Sequence, residues 1–193
     1  MPTILPRHQL YIAAALATLM ITTRGHHFAS LEHLPSASWA IFFLAGFYLR
    51  PAWAFPGFLA LAGFLDYAAI TWGGVSSFCV SPAYGMLLPA YGSLWLAGRW
   101  YANHYRFEWR TLTPFSGAML GGFTICQLLS SGSFYFFSGR FTDTTLAEFG
   151  SRLVKYAPGS LQTLMFFIAI AAVMHVLFVL AYNAAAKRNT TTG

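Results

Sequence analysis

PGSLQTLMFFIAIAAVMHVLFVLAYNAAA, running from Pro158 to Ala186, contains no Asp, Glu, Lys or Arg. About 20 consecutive apolar residues cross a bilayer as a helix, so this stretch alone predicts a membrane span. The remainder of the chain keeps the same character. Of 193 residues, 57% are hydrophobic and only 8% are charged, whereas a soluble domain carries about 25% charged residues to wet its surface. This composition excludes a soluble enzyme. It leaves room for roughly six or seven short spans and no sizeable soluble domain.

Apolar runs between charged or Pro/Gly breaks predict six transmembrane helices in a single all-α membrane domain covering 1–193, at about 8–23, 37–49, 53–71, 82–103, 113–137 and 158–186. Arg50-Pro51 closes the short second run, so the second and third helices form a tight hairpin. Pro158-Gly159 reads as the break that starts the sixth. Met1 to Arg7 leads directly into the first helix without the small-residue cleavage site of a signal peptide.

The chain holds 11 Lys+Arg against 5 Asp+Glu, a net charge of +6. In a polytopic protein such an excess records the cytoplasmic bias of basic residues rather than a nucleic-acid surface. One set of alternate connections carries Arg7, Arg50, Arg99, Arg106, Arg110, Lys187 and Arg188; the other carries Arg24, Arg140, Arg152 and Lys155. The richer set belongs to the cytoplasm. Both termini are therefore expected there, with loops 24–36, 72–81 and 138–157 facing outward.

The third outward loop has helical character. Thr145 and Glu148 have capping-box spacing, and Leu146, Phe149, Leu153 and Tyr156 recur at helical intervals. A short amphipathic helix at the outer interface, before the sixth span, is expected. It is either a rim anchor or a lid over a pocket. Arg152 lies on it, four residues after Glu148, and is either a solvated ion-pair partner or an arginine aimed at ligand oxygens. The fourth span repeats itself, with Pro82-Ala-Tyr-Gly followed by Pro89-Ala-Tyr-Gly. Gly85, Gly92 and Tyr91 read as close-packing positions, while Tyr84, near the outer end, is a candidate ligand contact.

Asp66 interrupts the third span. An intramembrane carboxylate costs at least about 2.5 kcal/mol on insertion scales unless paired or hydrated. Its place six residues before Trp72 puts it about 9 Å below the outer end of the helix, within reach of an outward pocket. A buried pair with an arginine or a helix-packing hydrogen bond is the plainer role. Cys79 and Cys126 form no CxxC pair. Cys126 fits an apolar filler within the fifth span. Cys79 stands two residues before Ser81-Pro82, which reads as an N-cap followed by proline at the first helical position. The helix dipole there favours thiolate, the form that binds metals.

His26, His27 and His33 fall in the first outward loop. A closed zinc site needs four ligands, which this set supplies awkwardly. A metal already held in a macrocycle needs only one or two axial ligands, and the residues suit that case better. His175, within the sixth span, reads as a hydrogen-bonded packing residue.

Leu65-Asp-Tyr67, the run from Gly74 through Ser-Ser-Phe-Cys-Val-Ser-Pro-Ala to Tyr84, and Leu94-Trp-Leu-Ala-Gly-Arg-Trp-Tyr101 together resemble the BtuM family. Its members are small solitary S-components of the energy-coupling-factor type, implicated in vitamin B12 (cobalamin) uptake by bacteria. The resemblance spans the six-helix layout and is most specific over 65–101. It implies an S-component-like bundle in the bacterial cytoplasmic membrane with an outward corrinoid pocket. Cys79, in the loop before the fourth helix, is the family's distinctive mark and implies an axial cobalt ligand. His27, in preference to the adjacent His26, matches a binding position that could approach the other face of the cobalt. Asp66, Tyr84 and Arg152 fall where ligand contacts are expected. Ala13 and Ala17 have the AxxxA spacing by which such proteins dock a coupling subunit, although ordinary helix packing uses the same spacing.

The sequence has no Gly-x-x-x-x-Gly-Lys-Ser/Thr loop, so ATP bound by that route is not expected in this chain. Energy would come from a coupling module with ATPases, unless the chain works alone. A thiolate on cobalt would displace cyanide and require the nucleotide base to detach, so binding of cyanocobalamin would be accompanied by decyanation. The rival class is a membrane redox or metal protein that uses Cys79 and the outward histidines for haem, copper or zinc. An assembly factor without a small ligand is the third.

Overall fold

The computed structural model describes residues 6–24, 36–74 and 81–191. These are all-helical, without a strand. The α-helices are α1 (Pro6–Arg24), α2 (Ser38–Tyr48), α3 (Ala54–Thr71), α4 (Leu87–His104), α5 (Leu112–Phe137) and α6 (Leu146–Thr191). Short 3-10 turns at Pro82–Met86 and Trp109–Thr111 lead into α4 and α5. Among the described residues, three segments are long and apolar enough to cross a membrane: Ala54–Thr71, Trp109–Phe137 and Leu146–Ala184.

The core is built around α2. Its 11 residues rise only about 16 Å, too little to span a hydrocarbon core of about 30 Å. The helix is apolar nearly all round, the pattern of an element enclosed by protein, and Ala40 through Phe47 are all buried. Its closest neighbour is α4. A Cβ at Gly98 would overlap the Phe43 carbonyl, and one at Gly46 would overlap the Trp95 carbonyl, so the two backbones touch at reciprocal glycines. The repeated segment of the fourth span behaves otherwise: a Cβ at Gly85 would meet nothing, and one at Gly92 would only touch Phe55 at 3.7 Å.

Polar ties fix the alternation of the helices. The Thr23 hydroxyl donates to the Leu19 carbonyl at 2.7 Å and accepts the Ala37 N–H at 3.2 Å, joining the end of α1 to the start of α2. At the other end, Arg99 donates to the carbonyls of Leu49 and Arg50 in the α2–α3 hairpin. Arg24, Ser38, Asp66 and Tyr84 consequently lie at one end of the bundle. Tyr48, Arg99 and Tyr105 lie at the other.

The structure corrects the expected short helix before the sixth span. Residues 146–157 are the first turns of α6, which continues through Pro158 as one helix of 46 residues. Proline removes one N–H from the helical ladder. Val154, whose carbonyl would have accepted it, is 78% exposed, and membrane helices tolerate such a proline when water or local adjustment satisfies the freed group. The Thr145 cap is half made. Its hydroxyl accepts the Glu148 N–H at 3.2 Å, while the Thr145 N–H goes to the Tyr135 hydroxyl at 3.1 Å.

Candidate functional site

Asp66 is held by groups from several elements. Arg24 Nε donates to Oδ1 at 2.7 Å, and Nη2 donates to Oδ2 at 2.8 Å, giving a bidentate pair between α1 and α3. The Tyr84 hydroxyl, from the 3-10 turn before α4, donates to the same Oδ2 at 2.6 Å. The remaining Arg24 nitrogen, Nη1, donates to Ser38 Oγ of α2 at 2.7 Å and to the Tyr91 hydroxyl of α4 at 3.2 Å. The cluster thus joins the first four helices around one guanidinium.

Burial makes the pairing necessary. The Arg24 side chain is 8% exposed and that of Asp66 27%, and an unpaired charge in such a place would be costly. A carboxylate offers about four lone-pair sites, and three are occupied by these bonds. Asp66 therefore keeps room for one further donor on its exposed side. Tyr91, below it, is buried and stacks on Phe42 with ring centroids 4.4 Å apart. The cluster consequently rests on the α2–α4 core and is held rigidly from beneath.

Arg24 went unrecognised in the sequence, where it counted only as a loop charge. The signal was indirect: Asp66 required a partner, but 42 residues separate the two and no spacing rule connects them. Tyr84 and Asp66, singled out separately, are brought into direct contact. Ser81 occupies the cap position before Pro82 without a side-chain cap bond. Its Oγ is buried and has no partner among the described residues.

Arg152 stands in a second cluster. It pairs with Glu148 at 2.8 Å, with the two side chains 37% and 47% exposed. Its guanidinium lies 4.6 Å from the Phe141 ring centroid and 5.5 Å from that of Tyr135. Phe149 of α6 stacks on Tyr135 of α5 at 5.8 Å. These aromatic contacts dock the first turns of α6 on the end of α5. Ala13 and Ala17 are half-buried and pack against the core, while Leu10, Tyr11, Ala14 and Thr18 form the exposed face of α1.

Cys79 and His27, like His26 and His33, lie outside the described residues. The residues flanking the cysteine segment are described: Gly74 follows the C-terminal end of α3, and Ser81 precedes the turn that carries Tyr84. No family model matches the chain, and no curated protein matches it.

Proposed function

We propose that the chain binds a corrinoid, cobalamin or its precursor cobinamide, at the Asp66 end and carries it across the bacterial cytoplasmic membrane. The observation that carries this reading is the direct contact of Asp66 and Tyr84, which flank in sequence the segment that contains Cys79. A partly exposed carboxylate with one vacant acceptor position suits the amide N–H groups at the edge of a corrin. Cys79 serves as an axial ligand of cobalt, and His27 as a second contact to its other face or to a corrin side chain. Arg152 exchanges Glu148 for ligand oxygens, an inexpensive exchange because an exposed pair contributes at most about 1 kcal/mol.

In this reading the six helices form an S-component-like bundle in the membrane, with the short α2 enclosed within it, both termini in the cytoplasm and the Asp66 end outward. A coupling module with its own ATPases docks along α1 near Ala13 and Ala17, or the chain acts alone. With cyanocobalamin, thiolate replaces cyanide on cobalt: one cobalt–carbon bond breaks, one cobalt–sulfur bond forms, cyanide leaves with its electron pair, and no net oxidation occurs. The nucleotide base leaves the lower face.

The test is growth of a B12-dependent bacterial strain that lacks its own importer, on low vitamin, with this chain as the sole addition. Growth with the intact chain and none with Cys79→Ala is expected. A well-expressed protein that never supports growth and never retains corrinoid on purification contradicts the proposal. Stoichiometric haem, copper or zinc in that protein would favour the redox or metal class instead.

A further inference from the structure

The end opposite Asp66 carries a half-open cavity of about 350 Å³, within the size range of ligand sites. Phe43 and Phe47 of α2 form one wall, Phe115 of α5 another, and Ile168, Ala172 and Val176 of α6 a third. Its lining is overwhelmingly apolar and aromatic. Water fills such a space poorly, because a buried water needs two to four polar partners and the polar groups present are engaged with one another. Tyr48 and Tyr105 hold the two ring nitrogens of His175 at 3.0 and 2.7 Å, and Thr111 bonds Tyr101 at 3.2 Å. An empty apolar space of this size would also deprive its walls of dispersion contacts.

The rim has a different chemistry. Arg106 lines the mouth, and Arg110 follows on the Trp109–Thr111 turn. Both are exposed and have no side-chain partner among the described residues, whereas Arg99 is committed to backbone carbonyls. Glu108 shares the rim, leaving the segment net positive. Trp109 is 88% exposed and Phe107 50%, the composition of an interfacial aromatic belt. An apolar slot between helices, lined at one side by Arg106 and followed in the chain by a second exposed arginine, Arg110, matches the two parts of a phospholipid. The sequence's charge bias assigns this end to the cytoplasmic leaflet, where basic pockets between helices bind anionic headgroups.

We propose that this cavity holds an acyl chain of one anionic phospholipid, with its phosphate at Arg106 and Arg110. The chain then fills the seam between α6 and the α2–α5 wall, which His175 closes with its two tyrosine bonds. The site is separate from the corrinoid reading and stands without it.

Native mass spectrometry of the full chain in detergent tests this, with dioleoylphosphatidylglycerol, dioleoylphosphatidylcholine and oleate as probes. One phosphatidylglycerol should remain at collision energies that strip other lipid, at least fivefold in excess over phosphatidylcholine and over oleate. The double variant Arg106→Gln/Arg110→Gln should reduce that preference below twofold. Ala172→Trp, which fills the slot, should remove the retained lipid while circular dichroism and monodispersity stay unchanged. If Ala172→Trp does not fold, the arginine pair decides alone, since its side chains are exposed. Equal retention of the two phospholipids by the wild type, retention of oleate in their place, or an undiminished preference in the double variant would overturn the proposal.

Discussion

The two ends of the bundle handle polar groups in opposite ways. At the Asp66 end, side chains from three helices turn toward the guanidinium of a fourth, and three of the carboxylate's lone-pair positions are filled from within the protein. At the His175 end, three polar side chains satisfy one another and withdraw, leaving an apolar space behind them. The first end keeps a partly exposed carboxylate with one acceptor position open. The second uses neutral hydrogen bonds to fasten a long helix and leaves room for something apolar. The same helices thus present two different environments because their polar residues lie at different ends.

Asp66→Ala strikes hardest at this contrast. It leaves Arg24 buried without its counter-ion, a loss of about 3 kcal/mol at the lower end of the range for broken buried pairs, since Asp66 keeps partial exposure. Chemical unfolding monitored by circular dichroism reads that loss, and corrinoid affinity should fall at least tenfold. Asp66→Asn, which retains an acceptor oxygen, should lose less on both counts. Unchanged stability in Asp66→Ala would show that the cluster does not carry the charge as described.

His175→Phe probes the opposite end. It removes both tyrosine partners at a cost of about 1–2 kcal/mol, in keeping with the modest worth of hydrogen bonds between membrane helices. Corrinoid affinity should be unaffected if the two ends act separately. Tyr84→Phe removes one bond to Asp66 and should cost about 1 kcal/mol, with affinity reduced severalfold. Arg152→Gln is the mildest change: its exposed pair with Glu148 contributes under about 0.5 kcal/mol, so unfolding should barely move. A tenfold loss of corrinoid affinity in that stable variant would separate a ligand contact from a rim anchor.

The helical layout was largely legible because uncharged runs the length of a span leave little else to build. Legibility failed at α6, where Pro158-Gly159 reads as a break; a long helix packed on aromatic residues at its start, with an exposed residue at the freed carbonyl, carries through it. It failed also at Gly46 and Gly98, whose contact joins residues far apart in sequence, while the conspicuous repeat at Gly85 and Gly92 drew attention to looser positions. At the site, the demand that Asp66 find a partner was legible and the identity of Arg24 was not. Pairing across helices follows from packing geometry, which local spacing does not encode.

The proposed corrinoid site at the Asp66 end depends on cobalt binding by Cys79. The absorbance spectrum of the purified protein after incubation with cyanocobalamin tests it most directly. Retained corrinoid should have lost its cyano, base-on bands, and a Cys79→Ala protein should leave those bands intact. A wild-type spectrum identical to that of Cys79→Ala, or no retained corrinoid at all, would contradict it.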